Sequence, residues 1–190
     1  MGLGSILFGR RKLKEAVGEK LFALSTARVT MEAELGLRPA GSAAVVFKPM
    51  SASEFVRAEN ELQALLEAVA QSSGSRVRRK SDEYGFEWIV VEDPDLEDLV
   101  TTVHLVASEL KSRGFGPQLL AAIFKFEDDR RSPVFWIYGF KRGAFWPFVP
   151  TGEDKERDNA KELELKAKLE RELPVEPDLT RWFAMFDAPL

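Results

Sequence analysis

The 190-residue chain has no cysteine and a single histidine, His104. The first absence removes thiol nucleophiles, disulfides, thiolate-bound zinc and iron–sulfur clusters together. The second removes any multi-histidine metal site. No apolar run approaches the roughly 18 residues that a membrane-spanning helix needs. A GxSxG elbow, an HExxH helix, an EF-hand loop and a phosphate-cradling glycine loop are all missing. In residues 1–8 the apolar stretch precedes its positive charges, and no small-residue cleavage site follows, so a secretory signal is not expected. Ile6 stands where a myristoylation motif carries Ser or Thr. Lacking both a signal and cysteine, the chain is expected in the cytoplasm.

What is present suffices for one folded domain. Apolar residues make up 45% and charged residues 31%, too apolar a mix for a disordered chain and enough to close a core. A net charge of −4 repels nucleic acid and anionic lipid except at local basic patches. One patch is Arg10, Arg11, Lys12, Lys14 and Lys20; the other is Arg76, Arg78, Arg79 and Lys80. Eight acids and no base follow the second patch between residues 81 and 100, so it is predicted to face its own acidic neighbours. Acid-rich helix starts are expected on dipole grounds, and no spacing among these acids matches a cation loop, so neither metal nor cofactor is predicted.

Periodicity places the elements. Leu13, Val17, Leu21 and Leu24 predict a helix over 11–25, GLRPAG (36–41) a loop, and residues 43–47 a short strand. Ser51 with Glu54 reads as a capping box opening a helix through Phe55, Ala58, Leu62, Leu65, Leu66 and Val69. A hairpin is predicted over 76–91. A helix is then expected from Asp93–Pro94 to Gly114, buried through Leu96, Leu99, Val100, Val103, Ala107 and Leu110. Strands at 119–126, 134–141 and 145–149 form a meander, with Pro147 making the last an edge. Charge dominates after Gly152. Residues 158–173 read as a solvated helix with Glu162–Lys166 and Glu164–Lys168 pairs, docked by Leu165, Leu169 and Leu173.

The reading is a single α+β domain: a mixed or antiparallel sheet of about five strands with helices on one face. It divides into an apolar and basic N-terminal segment (1–14), a core (15–150) and a C-terminal helical arm packed on the core (151–190).

Two places carry candidate function. Seven of the twenty aromatics fall within 135–148, beside Lys141 and Arg142, and residues 180–190 regain Trp182, Phe183, Met185 and Phe186. Rings beside guanidinium groups favour a protein interface, so Lys141, Arg142, Phe145, Trp146, Arg181 and Trp182 are the candidate partner-binding residues. The overall acidity, the lack of an RNP pattern and an equally good account of the aromatics as core weigh against a nucleic-acid partner, and none is expected. The second place is the N-terminal wedge, where Leu3, Ile6, Leu7 and Phe8 precede Arg10 and Arg11. Such a wedge suits contact with an anionic membrane surface. His104 lies at the edge of its helix's apolar stripe and is expected to be a packing residue; a hydrolase centred on it is the remaining alternative.

Several long segments carry a resemblance: MGLGSILFGR at the start, YGFEWIVVEDPDLEDLVTTVH (84–104), GFGPQLL (114–120), YGFKRGAFWPF (138–148), ERDNAKELELKA (156–167) and LPVEPDLTRWFAMFDAPL (173–190). They resemble the PspA-associated protein PspAB family nearly end to end. The resemblance implies a cytoplasmic accessory protein linked to PspA, a coiled-coil protein that coats and remodels stressed membranes, and it supplies no catalytic residues. The expected function is therefore a non-enzymatic adaptor of envelope stress that binds a PspA-type coiled coil. A peripheral membrane-surface sensor is the alternative.

Overall fold

A computed structural model describes residues 19–48, 52–152 and 155–190, with the side chains of 52–61 excepted. A 3-10 turn (Lys20–Phe22) leads into α1 (Ala23–Leu35), followed by β1 (Arg38–Phe47), α2 (Ala52–Ser73), β2 (Arg76–Ser81) and β3 (Glu87–Glu92). After α3 (Leu96–Ser112) come β4 (Leu119–Glu127), β5 (Pro133–Gly139) and β6 (Ala144–Phe148), then α4 (Asn159–Leu169) and a 3-10 turn (Leu179–Arg181). The six strands form one sheet in the order β2-β3-β1-β4-β5-β6, and every neighbouring pair is antiparallel. The α+β class stands, with six strands where about five were expected. The N-terminal segment, including Leu3, Ile6, Leu7, Phe8, Arg10 and Arg11, lies outside the described residues, as do Ser51 and the side chains of Glu54, Phe55 and Ala58.

Helix α1 runs ten residues past its expected end. Ser25, Thr26, Val29 and Thr30 are weak helix formers, yet Leu24, Ala27 and Met31 are buried at helical spacing, and packing overrides propensity. Gly36 ends it in the left-handed region (φ 62), and the Leu37 amide closes on the Met31 carbonyl at 2.9 Å. The loop expected at 36–41 is instead mostly the start of β1, where the register with β4 shifts between Pro39 and Ala43. A bulge accommodates the proline and Gly41 (φ 70) that would interrupt a regular central strand.

Helix α3 is capped by Asp95, whose carboxylate accepts from the amides of Glu97 (2.7 Å) and Asp98 (3.2 Å). The predicted start at Asp93–Pro94 is thus two residues early. Asp93 accepts instead from the Asp95 amide and the Ser75 hydroxyl. In the β2–β3 hairpin, Arg76 and Arg78 pair with Glu92, and Arg79 pairs with Glu87 at 2.7 Å. The basic run does meet its own acids. Asp82 organises the turn, accepting from the amides of Tyr84 and Phe86 and from the Trp88 indole, each at 2.9 Å.

Alternation sorts the sheet's side chains into two layers. Val45, Phe47, Ile89, Val91, Phe124, Phe126, Trp136 and Tyr138 face α1, α2, α3 and α4 in the main core. Ala44, Val46, Trp88, Val90, Ile123, Phe135, Ile137, Trp146 and Phe148 face the other way. The C-terminal arm joins the layers. Helix α4 lies with the helices through Leu165, Leu169 and Leu173, and Thr30 of α1 donates to Glu172 at 2.8 Å. The chain then runs beside β6, where the Phe145 amide donates to the Pro174 carbonyl and the Glu176 amide to the Phe145 carbonyl, both at 2.8 Å. Beyond Arg181 it crosses onto the second face, which Ala184, Met185, Phe186, Ala188 and Leu190 cover without regular structure.

Candidate partner-binding surface

The turn from β5 to β6 is drawn tight by the Gly139 carbonyl, which accepts from the amides of Arg142 (3.2 Å) and Gly143 (2.8 Å). Gly143 (φ 66) supplies the left-handed residue the turn requires, which leaves Lys141 and Arg142 at its exposed tip. The next two residues point to opposite faces. Phe145 enters the main core against Tyr138, ring centroids 4.7 Å apart; Trp146 enters the second layer and donates its indole N–H to the Phe183 carbonyl at 3.0 Å.

In the arm, Asp178 caps the turn Leu179–Arg181 by accepting from the amide of Thr180 at 3.1 Å and from its hydroxyl at 2.6 Å. Trp182 is 6% exposed and donates its indole N–H to the Glu176 carbonyl at 2.9 Å. Glu176, itself buried, lies between the two candidate arginines: Arg142 Nε is 3.7 Å from one carboxylate oxygen and Arg181 Nη1 is 3.8 Å from the other. Arg181 Nε also pairs with Asp178 at 2.9 Å. The carboxylate therefore gathers two cations from distant parts of the sequence onto one surface.

The structure corrects the physical basis of the sequence expectation. Phe145, Trp146 and Trp182 are buried, so these rings hold the clasp between arm and sheet and offer no exposed face. Lys141, Arg142 and Arg181 do reach solvent. Of the aromatics noted in 180–190, Phe183 is 63% exposed; two exposed apolar groups nearby, Leu179 (49%) and Leu163 (46%), were not singled out from the sequence. Leu163 and Leu179 line a cavity of about 140 Å³ with Arg157 and Trp182.

Behind that cavity lies the strongest polar pin of the arm. Glu162 is buried, accepts from the Val149 amide at 2.9 Å and pairs with Arg157 Nη2 at 2.7 Å. Arg157 Nη1 donates to the Trp182 carbonyl at 2.7 Å, and its guanidinium lies over the Phe148 ring, 5.4 Å from the centroid. The predicted Glu162–Lys166 and Glu164–Lys168 surface pairs are replaced by Lys161–Glu164 and Lys166–Glu170. A signal existed: Glu162 sits three residues before Leu165, on the stripe that docks the helix.

His104 is half-buried against Phe22, ring centroids 5.1 Å apart. Burial pushes its pKa down; Lys111 adds to the shift and Glu19 opposes it. Among the described residues the imidazole forms no ion pair with a carboxylate, and its ring contact is with Phe22. Ser75, Asp93 and Thr102 form a second polar knot, the Ser75 hydroxyl 2.7 Å from Asp93 and 3.0 Å from Thr102. It fastens β2 to α3 beside an open groove lined by Pro39, Gly41, Arg76 and Glu92. Among the described residues, no three acidic or imidazole groups converge as a metal site would require, and no helix is long and apolar enough to cross a membrane.

A family model described as PspAB, PspA associated protein B, matches residues 1–190, the whole chain. No curated protein and no solved structure matches it.

Proposed function

The chain belongs to the PspAB family, and from that membership we propose that it is a non-enzymatic accessory protein of an envelope-stress response, acting in the cytoplasm by binding a PspA-type coiled-coil protein. The observation that carries this reading is the match of one family model, named for association with PspA, along the entire chain. The surface at the clasp supports it. Arg142 and Arg181 are held beside Glu176, and Leu179 and Phe183, two residues to either side of Arg181 in the chain, are exposed. Aromatic and arginine side chains dominate the energetics of protein interfaces. A coiled coil presents charged residues along the flanks of its buried apolar seam, and acids among them would meet the two arginines.

The test is capture of the cognate PspA by the wild-type chain, by Arg142→Ala and by Phe183→Ser. Both substitutions fall on exposed groups, and Arg142→Ala leaves Arg181 beside Glu176, so circular dichroism and the unfolding midpoint should barely move. Capture is expected to weaken about tenfold or more in each. Absence of capture by the wild type overturns the reading.

A further inference from the structure

Anchorage of the C-terminal arm is uneven along its length. As far as Phe183 it is tied by buried or part-buried polar contacts: Arg157 to the Trp182 carbonyl, the Trp182 indole to the Glu176 carbonyl and the Trp146 indole to the Phe183 carbonyl. After Phe183 the backbone forms no ladder with the sheet. Its hydrogen bonds among the described residues are internal, Ala188 N–H to Met185 at 3.3 Å and Leu190 N–H to Ala188 at 2.8 Å. One polar tie links it to the rest of the described chain, the Lys155–Asp187 pair at 3.1 Å, exposed on both sides. Apolar contact supplies the remainder, including Phe186 edge-on to Phe148 with centroids 4.9 Å apart.

The sheet beneath is not built to face water. Ile123, Phe135, Ile137, Trp146 and Phe148 are neighbours across β4, β5 and β6, and baring them would leave a continuous apolar patch of the kind that marks interaction sites. Cations share this face. Lys125 stands opposite Phe135, and Lys80 opposite Trp88, so both project to the same side as those rings. Neither carries an ion pair among the described residues, and departure of Asp187 would free Lys155 of its partner. The strap shows what such a face accepts, since its sequence AMFDAPL is apolar with one acid set against a lysine.

We propose that residues 184–190 are a releasable strap, and that the sheet face beneath them is a docking platform for an acidic amphipathic segment of a protein partner. The strap competes from within the same chain, at an effective concentration on the order of millimolar. An incoming segment therefore binds with an apparent affinity reduced by the fraction of time the strap is open. Only the identification of that partner with PspA rests on the function proposed above.

A chain without cysteine makes the test clean. Lys155→Cys with Asp187→Cys, bridged by a reducible bis-maleimide, ties the strap down in the full-length protein. The probe is a fluorescent Glu/Leu-patterned amphipathic peptide, with a Lys/Leu peptide as control. The acidic peptide is expected to bind the reduced, released protein at least about tenfold more tightly than the bridged one, and more tightly than the basic peptide binds either. Truncation after Phe183 is expected to raise its affinity further. Equal binding to bridged and released forms overturns the proposal, as does equal binding of the two peptides. Should the truncated chain fail to fold, the bridged pair decides alone. Capture of PspA, measured separately, reports on the partner and not on the strap.

Discussion

The two faces of the sheet carry similar apolar loads and are covered by different means. On one, four helices present their own hydrophobic stripes, so each helix hydrogen-bonds its backbone internally while its side chains close the core. On the other, nine residues without regular structure do the covering, held up to Phe183 by indole and guanidinium contacts to carbonyls. A helix is a self-sufficient cover; an irregular segment has to borrow partners from the sheet and its flanks. The second face is therefore the place where a local change can uncover the core without dismantling it.

Cutting the pin between arm and sheet should have the largest effect. Glu162→Ala leaves Arg157 half-buried and unpaired, and the loss is expected to be about 3–5 kcal/mol in urea unfolding. Trp182→Ala is expected to cost a similar amount, about 3–5 kcal/mol, because the ring is buried under the arm. A loss below about 1 kcal/mol for either would show that the clasp contributes little to the fold. Leu99→Ala, in the helix-covered core, is expected to cost about 2–5 kcal/mol and to lower protection from hydrogen exchange everywhere. Phe186→Ala provides the contrast. A loss of roughly 1 kcal/mol is expected, with faster exchange confined to the strap and the strands under it. Uniform loss of protection in that variant would erase the distinction between the faces.

The smallest effect concerns pH. His104 has its pKa lowered by burial, so the folded state holds the imidazole uncharged while the unfolded chain takes up its proton near the ordinary value of 6.5. Its contribution to stability is complete above that value, declines as the pH falls toward the lowered folded-state pKa, and levels off below it. Urea midpoints measured between about pH 5 and 7.5 should show this shallow decline in the wild type, and less of it in His104→Gln. An identical profile in the variant would assign the decline to other groups.

Particular residues show how far the sequence could be read. The stripe of α3, the hairpin at 76–91 and the three-strand meander were legible because each rests on a local period or on a turn built from nearby residues, whereas the cap of α3 was placed two residues early, at Asp93 instead of Asp95. The tail of α1 and the start of β1 were not. Ser25–Thr26 and Pro39–Gly41 argue locally for an end and a loop, and only burial of Met31 and pairing of β1 on both sides reverse that. At the candidate surface, Lys141, Arg142 and Arg181 reach solvent, whereas Phe145, Trp146 and Trp182 are buried. Clustered aromatics read the same whether they pack or protrude.

The sequence by itself determined the α+β class, the helical stripe, the charged arm and the family, since these depend on spacing, composition and long recognisable segments. Only the tertiary structure decided that the arm crosses the edge of the sheet, that Glu176 draws Arg142 and Arg181 together, and that Trp146 and Trp182 turn inward. Those outcomes depend on contacts between residues far apart in the chain, where burial of apolar area and pairing of buried charge are settled between surfaces that no local pattern describes.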